Sequence, residues 1–204
     1  MSINTFFILA STSKSRRFIL KKINLNFKTI KPNCDEVFYK KKFKKLNYSP
    51  EKISRELSKN KAKSVSNKIK NKLIIGSDTV IDYRGNIIEK AQNFKQAQQR
   101  IKKLSGKTHS IISSVAMYYN QKLIWLNTEK TKVKIRKLNI LEIKNYLKKS
   151  GPTTLDSIGC YQVEKRGPII IENIKGDFFN VMGFPLFSFL NKLKKINLQK
   201  LNEK

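Results

Sequence analysis

Leu73-Ile74-Ile75-Gly76-Ser77-Asp78-Thr79-Val80-Ile81 is the stretch from which the rest of the chain is read. An aliphatic, β-branched run enters Gly-Ser-Asp-Thr and then resumes, the pattern of a buried strand. Gly76 lets the backbone bend or lets another group come close. Asp78 is then expected where a buried strand gives way to a loop. Ligands of open α/β sheets bind beyond the carboxyl ends of strands, so a carboxylate at that point suits chemistry. The competing reading is a turn aspartate bonded to its own backbone.

Upstream, Phe6 to Ala10 reads as an N-terminal strand and Ser11-Thr12-Ser13-Lys14-Ser15 as a hydroxyl-rich loop with several N-cap candidates. A short helix is expected from Phe18. Strand, hydroxyl loop and helix start together make an anion site. Arg16 and Arg17 in the first turn oppose the helix dipole, which suggests that they serve an anion rather than the helix. Phe27 to Lys31 reads as a second strand ended by Pro32, and Asn33 to Glu36 as a loop. Lys40 to Lys45 is a charge run, expected to be solvated and mobile. Ser49-Pro50 marks a helix start, with Ile53, Leu57, Val65 and Ile69 on one face. Lys61 lies near that stripe, able to reach a cleft or to snorkel.

Downstream, Asp82 to Asn86 turns the chain and Ile87-Ile88 returns it to Lys90. Phe94, Ala97, Ile101 and Leu104 give an amphipathic helix, stopped by Ser105-Gly106. Strands are expected around Ile111 to Met117, Leu123 to Leu126, Thr131 to Ile135, Gly159 to Val163 and Ile169 to Ile174. Asn139 with Glu142 forms a capping-box pattern, and Pro185 opens a last helix. This alternation predicts an α/β (α+β mixed) fold with a twisted mixed sheet flanked by helices. Residues 1–194 are expected to form one domain and 195–204 a frayed basic tail.

Two cysteines far apart, Cys34 and Cys160, suit neither zinc nor a redox motif. They fit a reduced cytoplasmic protein, and no apolar run approaches the length of a membrane span. The formal charge of +30 raises a polyanionic partner. Lys, Asn and Ile are abundant throughout while Arg is scarce, so compositional bias accounts for the excess as well as a binding surface does. A non-enzymatic basic RNA-binding protein is the rival reading. Neither an aromatic-rich RNA signature nor an Arg-rich tract supports it.

Leu9-Ala10-Ser11-Thr12-Ser13 with Arg16-Arg17, Gly76-Ser77-Asp78-Thr79, Lys90, Leu104-Ser105-Gly106-Lys107-Thr108-His109, Gly159-Cys160-Tyr161, Gly176-Asp177 and Gly183-Phe184-Pro185-Leu186 occur in one order. That ordered set, from about Ile8 to Leu193, resembles the Maf family of nucleoside triphosphate pyrophosphatases. Each motif is weak alone and the series is specific. The resemblance implies a substrate cleft between two lobes, a divalent cation (Mg²⁺ or Mn²⁺), and hydrolysis of the α–β phosphoanhydride of a nucleoside triphosphate, as in house-cleaning of modified nucleotides. No stable nucleic-acid complex and no membrane association are expected, and a homodimer is one assembly left open.

In that light Asp78 is the candidate base or metal-linked activator, Lys61 and Lys90 neutralise charge on the triphosphate, and Glu36 is a hard oxygen ligand for the metal beside Asp78. Ser11, Ser13 and Arg16 would hold phosphate oxygens or the base, with Thr79 and Glu164 completing substrate binding. The chain departs from the family pattern at two points. Lys14 stands where Pro is usual, and Gly-Lys-Pro reads Glu89-Lys90-Ala91. The branch signals are mixed as well. Ser15 and Glu164 resemble the 7-methylguanosine triphosphate branch, whereas Asp78-Thr79 resembles the pyrimidine (dTTP/UTP) branch. A carboxylate accepts only. Glu164 therefore matches guanine, with its two adjacent donors, better than uracil or thymine, and this points to guanine or 7-methylguanine.

Overall fold

A computed structural model describes residues 5–196. Most of the expected tail, residues 197–204, lies outside the described residues. Seven strands form one mixed sheet: β1 (Phe7–Ala10), β2 (Phe27–Ile30), β3 (Leu73–Tyr83), β4 (Asn86–Ile88), β5 (Thr108–Tyr119), β6 (Lys122–Ile135) and β7 (Ile171–Lys175). The order is β2-β1-β3-β5-β6-β7, with β4 also paired to β3. β1 runs parallel to β2 and β3, and the remaining pairs are antiparallel. The helices are α1 (Lys14–Lys22), α2 (Glu36–Lys45), α3 (Pro50–Ser66), α4 (Phe94–Leu104), α5 (Ile140–Ser150), the short α6 (Phe178–Val181) and α7 (Leu186–Leu193). The mixed α/β class is the expected one.

Strand alternation explains the layering. Phe7, Leu9, Leu73, Ile75, Val115 and Met117 share one face and are buried under α1 and α7 through Ile19, Leu20, Phe189 and Leu193. Ile8, Ala10, Ile74, Ala116 and Tyr118 share the other face and meet Ala62 and Val65 of α3. A third cluster gathers Ile81, Ile111, Val133, α4 and α5 at the far end of the long strands. The two expected lobes are thus two ends of one sheet, joined by β3, β5 and β6.

Gly76 is required by the approach of α3. A Cβ at Gly76 would lie 2.2 Å from the Ser58 carbonyl oxygen and 2.6 Å from the Ala62 nitrogen. The helix therefore sits directly on the strand, with Lys61 brought alongside Asp78.

Several expectations need correction. Lys40 to Lys45 is not a mobile run but the second half of α2, begun by the Asp35 side chain accepting the Phe38 N–H. α1 begins at Lys14 rather than Phe18, because Ser13 caps it through the Arg16 N–H. Leu123 to Leu126 and Thr131 to Ile135 belong to one 14-residue strand. Gly159 to Val163 forms no strand. Cys160 takes a positive φ of 59° and Tyr161 turns inward to His109, a geometry no ladder tolerates. α3 stops at Ser66, short of Ile69. Among the described residues, no helix is long and apolar enough to cross a membrane. Cys34 and Cys160 are free thiols.

His109 has its Nε2 2.5 Å from the Tyr161 hydroxyl. Its Nδ1 is buried without a partner, so an imidazolium would bury an unsatisfied N–H. Burial pushes its pKa down to about 4. The unfolded chain then binds a proton near pH 6.5 that the folded chain refuses, and stability falls as pH drops from 6.5 toward 4. Denaturant unfolding at pH 7 and pH 5 should show His109→Gln losing about 2 kcal/mol less than wild type on acidification, at about 1.4 kcal/mol per pH unit. Equal losses would contradict this.

Candidate active site

Asp78 does not end a strand, as expected, but lies in the middle of β3. What ends there is β1, whose last residue Ala10 pairs with Gly76. β4 takes up the same edge only at Ile81. Residues 77–80 are left without a strand neighbour on that side, while β5 pairs with them on the other. A cavity of about 930 Å³ opens at this interruption, with Ser11 after β1, Asp78 and Thr79 within the gap, and Ala91 after β4 in its wall. The volume is at the upper end for small-molecule sites.

Alternation sends Asp78 and Thr79 to opposite faces of the strand. Asp78 turns toward α3, where the Lys61 ammonium donates to its Oδ1 at 2.6 Å. The same ammonium lies 2.9 Å from Glu36 Oε1 at the start of α2. Lys61 and Asp78 are both buried, at 5% and 3% exposure. Burial by itself lowers the Lys61 pKa. Asp78 and then Glu36 outweigh it and hold the ammonium above the ordinary lysine value. Burial raises Glu36, but Lys61, with Lys40 and Arg16 behind it, brings the carboxyl below its usual range. Lys61 and Glu36 are therefore both ionised at neutral pH. Asp78 Oδ2 is buried and has no hydrogen-bond partner, an expensive arrangement in a core and a ready acceptor at a cavity wall.

Thr79 turns toward α1. Its Oγ1 accepts from Arg16 Nη2 at 3.0 Å, donates to the Gly183 carbonyl at 3.1 Å and lies 2.9 Å from Ser113 Oγ. Arg16 is buried. Its Nε donates to the Gly183 carbonyl at 2.9 Å and its Nη1 to Ser11 Oγ at 3.3 Å. Burial lowers its pKa, with Asp78 and Glu36 opposing. The guanidinium thus ties three segments together: the loop after β1, β3 and the turn before α7. Ser11 Oγ accepts a second bond, from the Ser13 N–H at 3.2 Å. With both acceptor positions used, what its hydroxyl has left to offer is a proton donor. Ser13 Oγ accepts the Arg16 N–H as the cap of α1.

Glu164 lies on the same cavity, and Ser15 Oγ is 3.4 Å from its Oε1. Lys90 also lines the cavity and is exposed, but belongs to none of the ion pairs around Lys61. The structure therefore brings Asp78, Lys61 and Glu36 into contact, joins Ser11, Arg16 and Thr79 in a second group, and leaves Lys90 and Glu164 at separate parts of the wall. Lys40, Lys41, Lys44 and Glu89 also line it and were not singled out from the sequence. The spacing of Glu36, Lys40 and Lys44, four residues apart each time, was the available signal once a helix there is accepted.

Among the described residues, no group of three or more His, Cys, Asp or Glu side chains could hold a metal ion alone. Two carboxylates with one free buried oxygen suit a magnesium ion, which binds through one or two carboxylates and takes water and phosphate oxygens for the rest.

The chain is similar to known proteins over most of its length. The family model described as "Maf-like protein" matches residues 6–196. A "7-methyl-GTP pyrophosphatase" of Bartonella quintana is 40% identical over 94% of this chain and 96% of its own length. A "Nucleoside triphosphate pyrophosphatase" of Pelagibacter ubique is 35% identical over 93% and 97%. A "dTTP/UTP pyrophosphatase" of Thermotoga maritima is 38% identical over 88% and 83%.

Proposed function

Because this chain belongs to the Maf family, we propose that it works as a nucleoside triphosphate pyrophosphatase at the interrupted edge of β3, with a guanine or 7-methylguanine base held at Glu164. The observation that carries the catalytic part is the orphaned Asp78 Oδ2 on the cavity wall beside a paired ammonium.

In this reading Lys61 fixes Asp78 through Oδ1 and leaves Oδ2 to accept the proton of the water that attacks the α-phosphorus. Positioning and charge neutralisation do most of the work in phosphoryl chemistry. Ser11 donates its hydroxyl to a phosphate oxygen, held in that orientation by Arg16 and the Ser13 N–H. Arg16 acts as a buried positive charge and a strut, with three of its five N–H groups bonded to Gly183, Ser11 and Thr79 and the other two left for phosphate oxygens. Lys90 faces the phosphates from the far wall. Glu36 would hold a divalent cation beside Asp78, together with substrate phosphates. When bound, that ion supplies charge neutralisation on the phosphate oxygens. Pyrophosphate and the nucleoside monophosphate leave.

The base preference rests on Thr79 and Glu164. Thr79 resembles the pyrimidine branch, but its hydroxyl is taken up by Arg16, Ser113 and Gly183, which leaves little of it for a base. Among the described residues, Glu164 is bonded at one oxygen, by Ser15. Its acceptors match the N1–H and amino group of guanine, while the carbonyl oxygens of uracil or thymine would face it. An unpaired buried partner costs about 1–3 kcal/mol, so wild type should prefer GTP or 7-methyl-GTP over dTTP and UTP by about tenfold. Glu164→Gln should shrink that ratio and raise pyrimidine turnover, in a panel of these four substrates with Mg²⁺. Preference of wild type for dTTP or UTP would refute the assignment of Glu164. The same reading takes the basic surface as no stable nucleic-acid site; tight, salt-sensitive RNA binding without turnover would favour the RNA-binding alternative.

A further inference from the structure

The cavity has an end that the catalytic groups do not use. From Asp78 a chain of alternating charges runs outward: Asp78 to Lys61 at 2.6 Å, Lys61 to Glu36 at 2.9 Å, then along one face of α2 to Lys40 and Lys44. Both of these lysines close on Glu89, Lys44 at 2.8 Å and Lys40 at 3.7 Å. Glu89 follows β4 on the other side of the cavity, and all three side chains line it. The pair Lys40–Lys44 with Glu89 therefore joins α2 to the β4 side across the cavity. Glu89 is half-exposed, at 50% for its side chain. Burial raises its pKa, but the Lys44 hydrogen bond and the Lys40 charge bring it below the usual range, so it sits there as a carboxylate.

We propose that Lys40 and Lys44 form a pyrophosphate subsite gated by Glu89. This rests on the pyrophosphatase reading for its direction. With the base at Glu164 and the α-phosphorus at Asp78, the β and γ phosphates extend away from Glu164, toward Glu36 and α2. There the product anion meets two ammonium groups that are already desolvated in part and held one helical turn apart by α2. Glu89 occupies them in its absence and competes with it when present. The competition keeps the lysines ordered while preventing a tightly charged product from remaining bound. An exposed ion pair is weak enough to be exchanged in this way.

The test is calorimetric titration of inorganic pyrophosphate onto the full chain, with neither nucleotide nor added metal. Glu89→Gln should bind pyrophosphate roughly fivefold tighter, the scale of one exposed pair. The double variant Lys40→Gln/Lys44→Gln should bind it roughly tenfold weaker, with a shallower salt dependence. Nucleoside monophosphate binding should be unchanged in both. Glu172→Gln is the charge control, because Glu172 pairs with Lys134 on the β6–β7 side and does not line the cavity. The subsite is refuted if the double variant binds pyrophosphate as wild type does, or if Glu172→Gln matches Glu89→Gln. A chain that hydrolyses triphosphates but fails these tests loses only the subsite. One that passes them and hydrolyses nothing loses the pyrophosphatase reading.

Discussion

Asp78→Asn is expected to keep the fold and to hydrolyse nucleoside triphosphates roughly 10²–10⁴-fold more slowly, the range for loss of a general base. The amide fits the same volume but cannot take the proton from water. The fold survives because Lys61 retains Glu36 at 2.9 Å, so its ammonium is not left alone in the core. KM should move far less than kcat, since Ser11, Lys90 and Glu164 still hold the substrate. The variant should be purified to homogeneity and its unfolding midpoint measured alongside its turnover. Near-wild-type kcat would remove Asp78 from the chemistry.

Gly76→Ala should be the most damaging single-methyl change to stability. The added carbon would lie 2.2 Å from one backbone atom of α3 and 2.6 Å from another, and backbone cannot rotate aside as a side-chain tip can. Overpacking of this kind costs about 1–3 kcal/mol, occasionally more. Against a backbone wall we expect about 3 kcal/mol. At about 2–4 °C per kcal/mol for a chain of this size, Tm should fall by about 10 °C. Activity should fall further than stability at temperatures where the variant is still folded, because displacing α3 pulls Lys61 off Asp78. A variant with wild-type Tm and wild-type turnover would contradict the close approach of α3 to β3.

Much of this site is written in local pattern. The apolar run into Gly76 marks a buried strand, the Asn139–Glu142 capping box and the Ser49-Pro50 start announce their helices, and the loop after Ala10 combines hydroxyls with arginine. What the local pattern does not carry is where one strand stops relative to another. Asp78 reads as a strand end because polar residues interrupt the apolar run. It is a strand interior whose neighbour ends early, a fact held in the pairing of Ala10 with Gly76. The Lys40 to Lys45 run fails for a related reason. Charge density hides the helical period until Asp35 is recognised as a cap, and only tertiary packing turns Lys40, Lys41 and Lys44 of that run toward the cavity. Arg16 shows the same limit. The sequence presents it as a ligand for an anion but not as a strut: three of its five N–H groups bond Ser11, Thr79 and Gly183, and Gly183 is 167 residues away.

The central claim is attack of water at the α-phosphorus beside Asp78. Hydrolysis of GTP or 7-methyl-GTP in isotopically labelled water, with Mg²⁺ and mass analysis of both products, tests it directly. The account predicts pyrophosphate without label and nucleoside monophosphate carrying one labelled oxygen. Label in the pyrophosphate, or release of orthophosphate with a nucleoside diphosphate, would contradict it.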